Sequence, residues 1–199
     1  MVVSFIYAVV LTGSIATGKS TAAGILQTLG FDIIDADSVA HKVLNQEHKS
    51  IASYFGAHLV NNGEVDRKAL GKIVFSDEKK RKTLEALLHP LIYKEIESLS
   101  NILDQKHQPY LIDIPLFFET NRYPVEKSIV VYTPEALQKE RLIQRDNATA
   151  AEAQKRMGTQ ISIEEKRKKA SYVIDNSGTL AELERECKRV KDEILKDFT

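Results

Sequence analysis

Val9-Val10-Leu11-Thr12-Gly13-Ser14-Ile15-Ala16-Thr17-Gly18-Lys19-Ser20-Thr21 is the stretch whose reading decides the fold. An apolar run from Phe5 to Leu11 leads into it and reads as a buried parallel strand. The chain then breaks at Gly13 and fills the pattern G-x-x-x-x-G-K-[ST] with Gly13, Gly18, Lys19 and Ser20. Thr21 to Leu29 follow with helical periodicity, and Gly30 supplies a C-terminal stop. A loop that wraps a phosphate must aim several backbone N–H groups inward, which glycine permits without a Cβ clash. The helix beginning near Gly18 adds free N–H groups and the positive end of its dipole. Lys19 carries a mobile charge for β and γ phosphates, and the Ser20 hydroxyl suits Mg²⁺. The bland alternative is a glycine-rich turn with a solvated lysine, but strand, loop and helix together read as a nucleoside triphosphate site.

A chain of 199 residues suits one α/β domain with room for a small inserted subdomain. Lys+Arg and Asp+Glu both total 28, so no polyanion-binding surface is indicated and nucleic acid is not an expected partner. The single cysteine, Cys187, excludes an internal disulfide, and no metal-ligand spacing is present. The apolar stretch Val2 to Leu11 is too short to span a bilayer and lacks a basic flank, so the expectation is a soluble, cytoplasmic protein without a membrane partner.

Phe31 to Asp37 reads as a second strand ending in Asp35 and Asp37, which point to the same side if the segment is extended. Carboxylates at the C-terminal ends of parallel strands sit where the phosphate loop does, so either aspartate suits a general base or a metal partner. An Asx turn or N-cap is the competing use. Residues 38–106 carry helical patterns and no convincing strand: Ser38 to Leu44, Lys49 to Phe55, Arg67 to Val74 and Asp77 to Leu103. Gly56, Asn61-Asn62-Gly63 and Pro90 punctuate them, with Asp66 as an N-cap and His89-Pro90 interrupting the last. A helical insertion of this length suits a substrate-binding subdomain. A lone histidine such as His89 is more often structural than catalytic.

Pro109 to Glu119 is a third strand and its exit, with Asp113 resembling the acidic strand end that assists Mg²⁺. Lys127 to Thr133 is the next strand, closed by Pro134. From Glu135 to Lys169 the chain is helical and charged; Arg141 and Arg145 share a face and suit a lid over a triphosphate, or else a solvated helix face. Glu164 to Lys169 reads as a solvated face outright. Ser171 to Gly178 is a last strand and turn, and Thr179 caps a final helix reaching about Leu195.

The ordered set of motifs resembles the dephospho-CoA kinase family from about Val9 to Gly178. It comprises Leu11-Thr12-Gly13 with Gly18-Lys19-Ser20-Thr21, Ile34-Asp35-Ala36-Asp37 with Ala40, Phe55-Gly56, Asp66-Arg67 with Leu70, Val74-Phe75, and Leu84-Glu85 with His89-Pro90. Pro115-Leu116 with Glu119, Gln138 with Arg141 and Arg145, Gln160, and Val173 to Gly178 complete it. The resemblance implies an α/β fold: a P-loop NTPase-type parallel sheet flanked by helices, with a helical substrate-binding insertion and a helical lid. The core is expected at 1–37, 108–135 and 170–199, the substrate subdomain at about 38–107 and the lid at about 136–169. The activity implied is transfer of the γ-phosphoryl of ATP to the ribose 3′-hydroxyl of dephospho-coenzyme A, with Mg²⁺.

On that resemblance Asp37 is the base and Asp35 its support, while Lys19 and Arg141 stabilise the transferred charge. Gly13, Ser14, Ile15, Ala16, Thr17, Gly18, Lys19, Ser20, Thr21, Arg145, Asn176 and Gly178 would bind ATP, the last two near adenine. Asp35, Asp37, Arg67, His89 and Pro115 would bind the substrate. Ser20 would hold Mg²⁺, with Asp113 reaching it through water. Ser14 and Ala16 stand where the family loop usually has glycine, and His41 where it usually has arginine. Another small-molecule phosphate-loop kinase is the nearest alternative; a GTP switch lacks its N-K-x-D guanine motif here.

Overall fold

The computed structural model describes residues 4–199, so Val2 and Val3 of the N-terminal apolar stretch lie outside the described residues. The chain forms two compact units, one running to Ile34 and resuming at Ser100–Thr199, the other Asp35–Leu99.

The first unit is built on a sheet of five strands: β1 (Ala8–Gly13), β2 (Ile33–Asp35), β5 (Tyr110–Asp113), β6 (Lys127–Tyr132) and β7 (Tyr172–Asp175). Their order is β2-β5-β1-β6-β7, with β1 central and parallel to both β5 and β6, and β6 parallel to β7. A strand paired on both sides has no solvent-facing edge, which explains why β1 is buried at every position and reads as an unbroken apolar run. The strand starts later than the apolar run: Phe5 takes φ 67°, and the N–H groups of Phe5 and Tyr7 donate to the Asp104 carboxylate at 2.9 and 3.0 Å. Residues 5–7 are a capped turn because a charged acceptor outbids strand pairing there.

One face of the sheet is covered by α1 (Lys19–Thr28) and α10 (Leu180–Asp197). Val9, Leu11, Ile129, Val131 and Ile174 from the strands meet Ala22, Leu26, Leu183, Val190 and Ile194 from the helices. Each buried Val, Leu or Ile side chain among them, removed from water, contributes about 1.5–3 kcal/mol. Cys187 lies in the same cluster, and burial pushes its thiol up to about 11. Thr179 caps α10 as expected, with Glu182 completing a reciprocal capping box. Short α6 (Phe117–Thr120) follows β5, and the charged segment after β6 folds as α7 (Glu135–Asp146), α8 (Ala150–Met157) and α9 (Ile163–Lys169).

The second unit contains α2 (Ala36–Gln46), α3 (His48–Phe55), a 3₁₀ turn, α4 (Arg67–Ser76) and most of α5 (Glu78–Asp104). Asp66 caps α4 by accepting from Ala69 N–H. Two expectations are corrected here. Val60–Asn61 (β3) and Glu64–Val65 (β4) form an antiparallel hairpin, where only helices and a break were expected. Asn62 and Gly63 both take positive φ, 50° and 82°, the pair a tight hairpin turn demands, so Asn-Gly was the signal. Pro90 does not end its helix: α5 runs unbroken through it for 27 residues. A proline inside a helix costs about 3 kcal/mol. Burial of Leu88 and Ile96 on either side offsets that cost.

Candidate active site

Gly13 to Thr21 line a cleft of about 460 Å³ together with Pro115, Arg141, Arg145 and Gln160. The two loop glycines are required for different reasons. Gly18 precedes α1 at φ 82°, and a Cβ there would lie 2.1 Å from Asn176 Nδ2. Gly13 has no positive φ; a Cβ would meet Thr17 Oγ1 at 2.7 Å and the Val131 carbonyl at 3.1 Å. The left-handed turn within the loop falls on Ala16, at φ 62°, where an L side chain costs about 1–2 kcal/mol.

The loop's carbonyls are tied away from the cleft. Ser14 O accepts from Thr17 N–H and from the Thr17 hydroxyl at 2.9 Å. Thr17 O accepts from Asn176 Nδ2 at 2.8 Å and lies 3.2 Å from the Thr133 hydroxyl. In a planar trans peptide C=O and N–H point in opposite directions, so fixing Thr17 O fixes the direction of Gly18 N–H. Gly13 O accepts from Lys166 Nζ at 2.9 Å. Lys166 is fully buried and also pairs with Glu119 at 2.7 Å, which corrects the expectation of a solvated face from Glu164 to Lys169. The missed signal is the spacing of Ile163 and Lys166: residues three apart share a helix face, and Ile163 is buried.

Lys19, at the first position of α1, donates to Asp113 at the end of β5, so the two chemically suggestive residues meet. Ser20 is exposed beside Lys19. One hydroxyl and one carboxylate fit a hard cation that completes its shell with phosphate oxygens and water. Among the described residues no cluster of three or more His, Cys, Asp or Glu stands ready to hold an ion alone. Pro115 lines the cleft, its carbonyl accepting from the Thr12 hydroxyl at 3.1 Å.

Arg141 is anchored by Thr133 Oγ1 at 3.2 Å and Asn176 O at 3.0 Å. Gln138, which is buried, donates to Thr133 O at 2.6 Å and braces the same turn. Two of the guanidinium's five N–H donors are thereby used, leaving three for a ligand. Arg145 behaves differently. It is exposed and forks onto Asp146, which also receives Arg156 at 2.7 Å. Arg145 first, then Arg156, holds the Asp146 carboxyl below the usual range. Gln160 reaches the loop directly, accepting from Ile15 N–H at 2.9 Å.

Asn176 is buried, with its amide spent on Thr17, and Gly178 is exposed in the turn before α10. A Cβ at Gly178 would lie 2.2 Å from the Glu182 carboxylate that completes the α10 cap, so glycine here makes room for the cap.

In the second unit, the same-side geometry expected of Asp35 and Asp37 does not form, because the strand ends at Asp35 and Asp37 already belongs to α2. Asp35 is the N-cap, accepting from Asp37 N–H at 2.9 Å, Ser38 N–H at 3.1 Å and the Ser38 hydroxyl at 2.8 Å. Asp37 is exposed in the first turn. Arg67 Nη1 lies 2.6 Å from His41 Nε2, and since a guanidinium only donates, the ring nitrogen is the acceptor in this contact. His89 sits half-buried inside α5.

The model of the dephospho-CoA kinase family matches residues 7–182. A dephospho-CoA kinase of Wolinella succinogenes is 46% identical over 194 residues, covering 96% of each chain. Among solved structures, the dephospho-CoA kinase from Campylobacter jejuni is 38% identical with a TM-score of 0.73, over 96% of this chain and 98% of that one. TT1252 from Thermus thermophilus is 32% identical with a TM-score of 0.76, over 94% and 96%. Phosphate loop and parallel sheet therefore coincide with a sequence match along nearly the whole chain, and the chain belongs to the dephospho-CoA kinase family.

Proposed function

We infer that the protein transfers the γ-phosphoryl of ATP to the ribose 3′-hydroxyl of dephospho-coenzyme A, releasing coenzyme A and ADP in coenzyme A biosynthesis. The observation that carries this reading is the family match over residues 7–182, which spans the phosphate loop and the segments that brace it. Phosphoryl transfer of this kind needs little covalent work from the protein, so positioning and electrostatics supply most of the barrier reduction. The triphosphate lies along Gly13 to Thr21, its oxygens met by loop N–H groups and the α1 dipole. Lys19 leaves Asp113 for the β and γ phosphates. The three unspent donors of Arg141 answer the charge that develops on the moving phosphoryl. Arg145, released from Asp146, closes over the nucleotide from the lid, 136–169, and water is excluded. Ser20 would hold Mg²⁺, with Asp113 reaching it through water, and the ion would supply charge neutralisation at the phosphates.

Asp37 is the base that takes the 3′-hydroxyl proton; the exposure of its side chain in the first turn of α2, where only its N–H is engaged by Asp35, supports that role. Asp35 supports it by capping α2. Residues 38–107 form the substrate subdomain, with Arg67 and His89 shaping its acceptor site and Pro115 on the cleft side. Asn176 and Gly178 lie close to the adenine of ATP, and Asn176 also orients the loop by holding Thr17 O. No helix of the described residues is long and apolar enough to cross a membrane, in keeping with a cytoplasmic enzyme acting on a small molecule.

The test is ADP release with Mg²⁺ and ATP, with and without dephospho-coenzyme A, with the product identified by mass. A substrate-dependent rate yielding coenzyme A is expected. A rate indifferent to dephospho-coenzyme A, or stimulated only by another hydroxyl acceptor, would overturn the assignment.

A further inference from the structure

We propose that Lys166 is a positioning residue for ATP, which by fixing the Gly13 carbonyl aims Ser14 N–H at the phosphates. This rests on the reading of the loop as the ATP site and assigns a role to a residue outside the loop's own motif. Lysine is almost never fully buried unless it is paired, because an ammonium leaves water at a high cost. Lys166 is fully buried, and its Nζ has two partners: Gly13 O at 2.9 Å and Glu119 Oε1 at 2.7 Å. Glu119 in turn accepts Ile161 N–H at 3.2 Å, while its Oε2 is buried without a hydrogen-bond partner. An apolar side chain would fill the same space at lower cost, so the charged pair is poorly explained by stability alone.

The geometry offers another explanation. Gly13 O is the first carbonyl of the loop, and its peptide plane carries Ser14 N–H on the opposite side. Lys166 does not line the cleft, whereas Ser14 does. Holding the carbonyl on the buried side therefore turns the N–H to the open side. Asn176 and Thr133 do the same for Gly18 N–H by holding Thr17 O. The difference is the source of the constraint, since Lys166 belongs to α9, the last lid helix. Gln160, six residues earlier, holds Ile15 N–H. The segment 160–166 thus grips the loop at two points.

The experiment compares Lys166→Met with the double variant Lys166→Met/Glu119→Gln, following melting temperature and the KM values for ATP and dephospho-coenzyme A. The single variant strands a buried carboxylate and is expected to melt well below the parent, or not to fold. The double variant removes both charges and is expected to regain most of that loss while its KM for ATP stays about ten-fold or more above the parent's, with the KM for dephospho-coenzyme A within about two-fold. A double variant of parental ATP KM would overturn the proposal. Gln160→Ala keeps the test decisive if neither variant folds. Gln160 is only half-buried, and in the nucleotide-free protein the Ile15 amide should lose its hydrogen-exchange protection with no change in melting temperature. A still-protected Ile15 amide would show that the segment does not grip the loop. The parent's own activity on dephospho-coenzyme A tests the functional reading separately, so the two failures are distinguishable.

Discussion

The phosphate loop and the first turn of α2 carry the two halves of the proposed chemistry, and they are built in opposite ways. In the loop the carbonyls at its two ends are claimed by side chains from distant parts of the sequence: Gly13 O by Lys166, Thr17 O by Asn176 and Thr133. In the α2 turn the bonds are local. Asp35 caps the N–H groups of Asp37 and Ser38, and the Asp37 side chain is left to solvent. Binding a triphosphate requires many weak donors held in fixed directions before the ligand arrives, and that precision comes from long-range buried bonds. Accepting one proton requires a carboxylate free to meet its donor. The loop is held from several sides and the proposed base is not.

Substitutions can break this contrast at several depths. Lys19→Ala should do most damage, lowering kcat/KM for ATP by about 10³ or more, because it removes charge that strengthens as the phosphoryl moves; steady-state kinetics checks it. Asn176→Ala should follow. It frees Thr17 O and should raise the KM for ATP about ten-fold by the loss of a buried hydrogen bond while leaving the substrate KM alone. Asp35→Ala should act on folding more than on ATP, costing about 1 kcal/mol as a lost N-cap, or about 2–4 °C in thermal melts. Ala16→Gly should give the smallest change and the opposite sign. Relief at φ 62° exceeds the added chain entropy by about 0.5 kcal/mol, so the melting temperature should rise by a degree or two.

The legible part of this molecule was whatever short-range pattern controls. The loop, its strand and its helix follow from Gly13, Gly18 and the flanking periodicity, and the caps at Asp66 and Thr179 follow from side chains that bond their own helices. What escaped were outcomes decided by partners far along the chain. Lys166 lies in a run of charges that reads as solvent-facing, and only packing of α9 through Ile163 reveals that one of them points inward. Pro90 looks like a break because sequence shows the lost N–H but not the burial of Leu88 and Ile96 that outweighs it. Asp35 and Asp37 look like a pair on one strand face until the strand stops after three residues and the cap claims Asp35. The Asn62-Gly63 hairpin was legible, and was hidden only by two-residue strands too short to show alternation.

The division between a rigid binding loop and an unengaged base is tested most directly by Asp37→Asn, with ATP affinity measured by calorimetry and turnover by dephospho-coenzyme A-dependent ADP release on the same preparation. The expected result is turnover lower by about 10²–10⁴, as for loss of a general base, with the Kd for ATP within about two-fold of the parent. A large loss of ATP affinity, or near-parental turnover, would contradict the account: the first would make Asp37 part of the nucleotide site, and the second would give the proton to another group.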